Sequence, residues 1–188
     1  SFNSLQMLSH ELKMSYEDML MVPLTGRPWH ELDRALIENR MKIGILTDHV
    51  HTPAAIAMRL LKYGFTQYKM YIGEHLGNPE KQRVSRSLAL SEVEEHSIES
   101  PNCVILQRMY NDTTYRPLGI PDKMFELLDG RERMITKAPV RVLDMSALML
   151  PMCNHFWDIG FCTGSISIEA KRQYPHLHIH AFARNAGD

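Results

Sequence analysis

The residues best suited to chemistry lie near the end of the chain, in a turn that contains two glycines. Residues 156–169 read FWDIGFCTGSISIE, an apolar run that ends on an aspartate and leads through the glycines into an amphipathic stretch. This order predicts a strand, a tight turn and a helix, the opening unit of a nucleotide-binding α/β sheet. Gly160 can adopt backbone angles closed to other residues, and Gly164 lets the chain pass close to a ligand or to the strand.

Three further groups of this turn could contact a ligand. The Asp158 carboxylate can order the loop amides or accept hydrogen bonds, and Ser165 and the first helical amides can hold a polar or anionic group. Cys162 replaces one glycine of the stricter pattern. It is either a thiol activated at a helix N-terminus or a small inert residue that fills the turn. An ordinary strand-to-helix turn remains the alternative interpretation.

The composition limits the classes of partner. The chain has 188 residues, of which 44% are apolar, enough for the core of one domain or of two small ones. Its 21 basic and 22 acidic residues give no excess of positive charge that would bind nucleic acid or an anionic membrane. No apolar run is long enough to span a bilayer. Three widely spaced cysteines without a C-x-x-C pair indicate reduced thiols and a cytoplasmic location.

Strands and helices alternate along the chain, which predicts an α/β fold in two units, residues 1–112 and 113–188, separated by a polar stretch at 111–117. We predict a helix over 54–62 with Thr52 as its N-cap, Pro53 at its first position and Gly64 as its closing residue. A strand over 68–72 is expected to break at 73–79, followed by a charged connection over 80–95 and a helix over 123–128. The helix that follows Pro139 is expected to bury Val140, Leu143, Ala147 and Leu148. Because the chain begins at Ser1 and ends directly after a predicted strand, we expect a piece of a longer protein, and a homo-oligomer.

Histidines alternate in the final strand, at His176, His178 and His180, and the period of a strand places them on one face. Neutral imidazole binds zinc or nickel, but no carboxylate or thiol stands nearby at ligand spacing. We therefore predict exposed edge histidines and no metal.

Two blocks of sequence resemble the family of bifunctional precorrin-6Y C5,15-methyltransferases (decarboxylating) of cobalamin biosynthesis. The runs LTGR, ILTDHVHTPAAIAMRLLKYG and GEHLGNPEKQRV look like the second half of a tetrapyrrole methylase domain. The runs GIPDKMF, MITKAPVR and WDIGFCTGSISIEA look like the start of a Rossmann-like methyltransferase domain. The resemblance implies a fold in which the C-terminal subdomain of a tetrapyrrole methylase is followed by a truncated Rossmann-like unit.

The resemblance also implies S-adenosylmethionine (SAM) as methyl donor at two sites and a tetrapyrrole as substrate. Thr25 and Ala183 depart from the family pattern, Ala183 at the position of the acid that holds the ribose hydroxyls. No catalytic residue is identified, because methyl transfer from a sulfonium depends on alignment and exclusion of water. The implied cofactor residues are Ser4, Leu5, Leu46, Thr47, Asp158, Gly160 and Gly164, and the implied substrate residues are Asp122 and Lys137.

The sequence thus predicts SAM-dependent C-methylation, with decarboxylation, of a precorrin ring. Two alternatives remain open at this point. One is a non-catalytic SAM-binding remnant of the family, and the other is an oligomerisation module whose sheet is completed by another copy.

Overall fold

The computed structural model describes residues 3–111, 117–127, 130 and 132–183. The chain divides into two compact units, Ser1–Asp112 and Thr113–Asp188. The stretch 112–116, on which most of the predicted boundary falls, lies outside the described residues. The α/β class is confirmed, since both units combine helices with a sheet.

The first unit is a mixed five-stranded sheet with helices on both faces. Its strands have the spatial order β1-β2-β5-β3-β4; β1 and β2 are parallel and the other pairs are antiparallel. The elements along the chain are α1 (Ser4–Leu12), β1 (Leu20–Pro23), α2 (His30–Ile37), β2 (Lys42–Leu46), α3 (Pro53–Lys62), β3 (Tyr68–Glu74), β4 (Arg83–Leu88) and β5 (Asn102–Arg108).

Alternate residues of the central strands point to opposite faces, and each face has its own core. On β5, Val104 and Leu106 join the larger cluster, which also contains residues of α2 and α3. Cys103 and Ile105 pack on the other face against Leu5 of α1. The sheet is therefore buried on both sides, as its nearly continuous apolar strands require.

Local signals around α3 are confirmed. The Thr52 side chain accepts a hydrogen bond from the Ala55 amide at 3.2 Å, and Pro53 occupies the first turn. Gly64 has φ +78° and ends the helix. The amides of Phe65 and Gly64 bond to the carbonyls of Leu60 and Leu61, which is the Schellman arrangement.

The predicted connection over 80–95 is wrong in part, because β4 lies within it. Among the described strands it pairs with β3 alone, and all of its residues are exposed or half-buried. An edge strand with no buried face carries no apolar alternation, so its polar sequence reads as a loop. The strand β3 also continues through Gly73 and Glu74, where we predicted a break.

The second unit contains a strand–helix–strand arrangement, with one further helix. Its elements are α4 (Ala138–Ala147), β6 (His155–Ile159), α5 (Ser165–Gln173) and β7 (His178–Phe182), and β6 and β7 are parallel. The core consists of Met145, Leu150, Phe156, Ala170 and Leu177.

Two predictions for this unit are wrong. Only a short 3₁₀ turn, Asp122–Met124, occurs among the described residues of the expected helix over 123–128. The face predicted for α4 is also reversed. Val140, Leu143, Ala147 and Leu148 are exposed, whereas Arg141 and Met145 are the buried residues of this helix.

Candidate functional site

The turn between β6 and α5 has the backbone that its glycines predict. Gly160 and Gly164 have φ of +89° and +68°, a region that disfavours residues with a side chain. A Cβ atom at Gly164 would come within 2.5 Å of the Phe161 ring, whereas one at Gly160 would meet nothing within 4 Å. A side chain at Gly164 is therefore disfavoured by conformation and would also displace the Phe161 ring.

The helix α5 begins without a side-chain cap. Gly164 is its N-cap residue and supplies no acceptor, and the first bond of the helix runs from the Ile168 amide to the Gly164 carbonyl at 2.8 Å. The amides of the first turn thus lack an intrahelical partner and can bind a polar or anionic group. In contrast, the amides of Gly160 and Phe161 are already bonded to the Phe182 carbonyl at 2.9 and 3.1 Å.

Asp158 lies in β6 just before the turn. Its Oδ2 accepts a hydrogen bond from the Ser167 hydroxyl at 2.6 Å, which ties the strand to the first turn of α5. Asp158 also lines a cleft of about 430 Å³, together with residues at the end of α4 and Ile166. The structure therefore brings Asp158, Gly160 and Gly164 together in one turn. Ala183 follows β7 directly and is exposed.

A second cleft, of about 550 Å³, lies on another side of the same turn. It is lined by Cys162 and Thr163, by Ile168 and Arg172 of α5, and by a segment that carries the GIPDKMF motif, namely Ile120, Met124, Phe125, Glu126 and Leu127. Both volumes lie within the range of small-molecule sites.

The GIPDKMF segment is held by a buried ion-pair network that sequence reasoning missed. Arg141 and Glu169 are both fully buried, and Arg141 Nε donates to Glu169 Oε2 at 2.7 Å. Glu169 Oε1 accepts from the amides of Gly119 and Ile120, the second at 3.0 Å. Arg141 also donates to the Ile120 carbonyl and lies 4.8 Å from the centre of the Phe125 ring. The signal that could have revealed the network is one charged residue in each of two motifs, Arg141 in MITKAPVR and Glu169 in WDIGFCTGSISIEA.

The two predicted substrate residues lie close together, but Asp122 is already engaged. Its Oδ1 accepts from Arg141 Nη1 at 2.8 Å and from the Ala138 amide at 3.0 Å. Lys137 Nζ lies 3.8 Å from Asp122 Oδ2. The hydrogen bond from Arg141 lowers the pKa of the Asp122 carboxyl below its usual value. This geometry makes Asp122 a part of the network around the motif.

In the first unit, the predicted cofactor residues occupy the start of α1 and the end of β2. Ser4 is exposed and begins α1, whereas Leu5 is fully buried in the cluster that Leu46 also joins. The Thr47 hydroxyl donates to the Asn102 carbonyl at 2.6 Å, so it supports the fold locally.

The loops after β1 and β2 are joined by Asp48, which sequence reasoning did not single out. Its carboxylate accepts from the amides of His51, Gly26 and Val50 at 2.6, 2.8 and 2.9 Å. These bonds hold the pKa of Asp48 far below its usual range. Thr25 donates to the Thr47 carbonyl at 3.2 Å, so this departure from the family pattern joins the same two loops.

The three histidines of the row are exposed, as predicted, but His176 lies outside the strand. His176 precedes β7 and contacts the Cys153 carbonyl at 3.0 Å, whereas His155 of β6 stacks on His178 and His180, with ring centres 5.3 and 5.4 Å apart. Within the described part of the chain, no group of three histidine, cysteine or acidic side chains could hold a metal ion. In the same residues, no helix is long and apolar enough to cross a membrane.

Comparison with known proteins relates both units to enzymes of corrin synthesis. Residues 127–187 match the precorrin methyltransferase domain family. Precorrin-6Y C(5,15)-methyltransferase [decarboxylating] of Mycobacterium tuberculosis is 28% identical over 142 residues, which is 75% of this chain and 35% of that protein. Since 75% of the chain exceeds either unit alone, this similarity extends over parts of both.

Cobalt-precorrin-6B C(15)-methyltransferase (decarboxylating) of Salmonella typhimurium is 44% identical over 64 residues, 34% of this chain and 32% of that protein. Among solved structures, uroporphyrin-III C-methyl transferase from Thermus thermophilus, in complex with S-adenyl homocysteine, is 19% identical with a TM-score of 0.36. That match covers 58% of this chain and 45% of the other. The chain spans about a third of the length of the curated relatives it matches. It is thus similar to the precorrin-6Y methyltransferases that its motifs resemble, and its residues 127–187 match the model of the precorrin methyltransferase domain.

Proposed function

We propose that this chain is part of a SAM-dependent enzyme that methylates carbons of a precorrin ring, with decarboxylation, in cobalamin biosynthesis. One observation carries the proposal: the residues that match the precorrin methyltransferase domain contain the glycine turn and the uncapped start of α5. The similarity to proteins named for two ring positions, over parts of both units, supports two methylation sites. The first unit is then the C-terminal subdomain of a tetrapyrrole methylase.

The residues of the glycine turn fit the donor. Gly164 keeps the turn tight against the Phe161 ring, which a Cβ atom would meet at 2.5 Å, and the free amides of α5 suit the carboxylate of a methionine group. Asp158, Gly160 and Gly164 would hold this side of SAM, which would supply an electrophilic methyl group. In the first unit, only the resemblance to the family supports Ser4, Leu5, Leu46 and Thr47 as the residues that this chain would contribute to a second cofactor site.

The protein's task in methyl transfer is alignment. The accepting carbon must lie in line with the donor methyl, with water excluded, and this orientation supplies most of the rate. Lys137 and Asp122 act on the substrate side, Asp122 through the network that fixes the GIPDKMF segment. We assign no general base.

Titration calorimetry with S-adenosylhomocysteine tests the donor site in the chain as it stands. We expect binding that Gly164→Ala weakens, because the new methyl group meets the Phe161 ring. Gly64→Ala is the matched control, since Gly64 also has a positive φ but no atom within 4 Å of its Cβ position. Absence of heat at millimolar ligand contradicts the proposal. Binding without methyl transfer to a precorrin-6Y substrate favours the non-catalytic remnant.

A second candidate, self-association, is favoured by one face of the β6–β7 sheet. Trp157, Ile159 and Phe182 on this face are 61%, 79% and 48% exposed. Parallel sheets normally have both faces covered, so a second copy is a suitable cover. We propose a cytoplasmic homo-oligomer that binds neither nucleic acid nor membrane. A monomer in sedimentation at micromolar concentration, unchanged by Trp157→Ser, contradicts the oligomer.

A further inference from the structure

Among the described residues that line it, the cleft of about 550 Å³ combines an apolar wall with one cationic group. Ile120, Met124, Phe125, Leu127 and Ile168 supply the apolar surface. Such a lining suits the flat body of a large organic ligand, and a few polar groups at the edge determine its orientation.

Arg172 provides the positive charge. It lies one helical turn after Ile168, on the same side of α5, and is exposed. No hydrogen bond or ion pair engages its guanidinium within the described residues. The neighbouring Lys171 is turned away, since its Nζ donates to the carbonyls of Pro175 and Leu177 at 2.6 and 2.8 Å. Glu126 is the opposing charge on the cleft wall, so an acidic group is favoured only at the Arg172 end.

The wall opposite α5 is fixed by the buried network. Glu169 holds the Ile120 amide at 3.0 Å, and the Arg141 guanidinium lies over the Phe125 ring at 4.8 Å. Ile120 and Phe125, which these two residues hold in place, line the cleft. The cleft is therefore largely formed before a ligand binds, which reduces the cost of ordering it.

We propose that this cleft binds the methyl-accepting tetrapyrrole and that Arg172 pairs with one of its carboxylate arms. The inference deepens the proposed function and rests on it for the substrate class. The apolar wall contacts the ring, and the guanidinium forms a bidentate pair with an acetate or propionate group. Cys162 and Thr163 of the glycine turn border the cleft, so the bound ring lies beside the turn that holds the donor.

The three cysteines allow ligand binding in the cleft to be measured as protection from alkylation. Cys162 lines the cleft, Cys153 is half-buried outside it, and Cys103 is buried in the first unit. The full chain is alkylated with iodoacetamide, with and without the octacarboxylic tetrapyrrole uroporphyrin III, and each cysteine is followed by peptide mass spectrometry. We expect uroporphyrin III to slow the labelling of Cys162 and to leave Cys153 unchanged.

Substitutions then test whether Arg172 binds the carboxylate. Arg172→Gln should raise the uroporphyrin III concentration that gives half-protection of Cys162 about tenfold, because one charge-assisted pair is lost. Arg172→Lys keeps the charge and should retain part of the affinity. Lys123→Gln is the matched control, because Lys123 is exposed in the same motif and does not line the cleft.

Three results overturn the inference: no protection of Cys162 at millimolar uroporphyrin, equal protection of Cys153, or an Arg172→Gln variant that matches the unsubstituted chain. A parallel titration with S-adenosylhomocysteine separates the two proposals. If S-adenosylhomocysteine binds but uroporphyrin III does not protect Cys162, the proposed substrate cleft is wrong and the donor site stands. If uroporphyrin III protects Cys162 specifically but S-adenosylhomocysteine does not bind, the cleft is supported and the proposed methyltransferase function is contradicted.

Discussion

Replacement of Glu169 by Gln tests whether the buried network holds the second unit together. Glu169 uses one oxygen for Arg141 Nε at 2.7 Å and the other for the amides of Gly119 and Ile120. A glutamine presents an NH₂ group in place of one oxygen. Whichever way the amide is turned, that donor faces another donor, so at least one buried hydrogen bond is lost. The Arg141 charge then keeps only the partly exposed Asp122 carboxylate as its counter-charge.

The magnitude follows from the burial of both groups. Hydrogen bonds to charged groups contribute about 1.5–3 kcal/mol each, so we expect Glu169→Gln to lower the free energy of unfolding of this unit by about 2–3 kcal/mol. Glu169→Ala leaves the arginine without its buried partner and should cost about 3–5 kcal/mol. The double variant Arg141→Met/Glu169→Leu removes both charges and should recover part of this loss.

Native-state hydrogen exchange, measured peptide by peptide, reports the opening free energy of each unit separately. Peptides from α4 and α5 should lose protection in Glu169→Gln, and peptides from β2 serve as an internal reference. Glu31→Gln is the matched control. Its Oε1 lies 4.0 Å from Arg27 Nη1, and the side chains of Arg27 and Glu31 are 57% and 42% exposed. A loss below about 0.5 kcal/mol, the range of ordinary surface substitutions, refutes the reasoning.

Three further predictions concern the turns and the thiols. Gly164→Ala should lower the thermal midpoint of the second unit more than Gly64→Ala lowers that of the first, because only Gly164 adds a steric contact to the positive φ; equal shifts in calorimetry argue against this. The folded-state pKa of Asp48 is depressed, so its stabilisation is fully present above about pH 4 and declines as the pH falls further. Urea titrations should therefore show the difference between the unsubstituted chain and Asp48→Asn shrinking below that pH, and a pH-independent difference contradicts the assignment. Burial raises the pKa of Cys103 to about 12, so at pH 8 it should react with Ellman's reagent far more slowly than Cys153, and equal rates would disprove this.

Sequence reasoning succeeded where a residue type constrains its own backbone. Gly160 and Gly164 have the positive φ expected for the turn, and Thr52 and Gly64 begin and end α3 as predicted. These features depend on neighbours within a few residues. They can be read from one segment without knowledge of what packs against it.

Sequence reasoning failed where the environment is supplied from far along the chain. Arg141 reads as a solvent-facing residue of α4, and only its partner Glu169, 28 residues away, makes complete burial possible. The apolar pattern of α4 by itself placed Val140 and Leu143 in the core, although they are 48% and 69% exposed. Likewise, β4 became a strand only because β3 offers it an edge.

The sequence by itself determined the α/β class, the strand–turn–helix with its uncapped helix start, and the relation to precorrin methyltransferases, because local backbone preferences and motif order are written in consecutive residues. The tertiary structure decided which charges are buried and which side chains line a common cleft. Those outcomes depend on the desolvation of charge and on packing between segments such as Ile120 and Arg172, which no local pattern specifies.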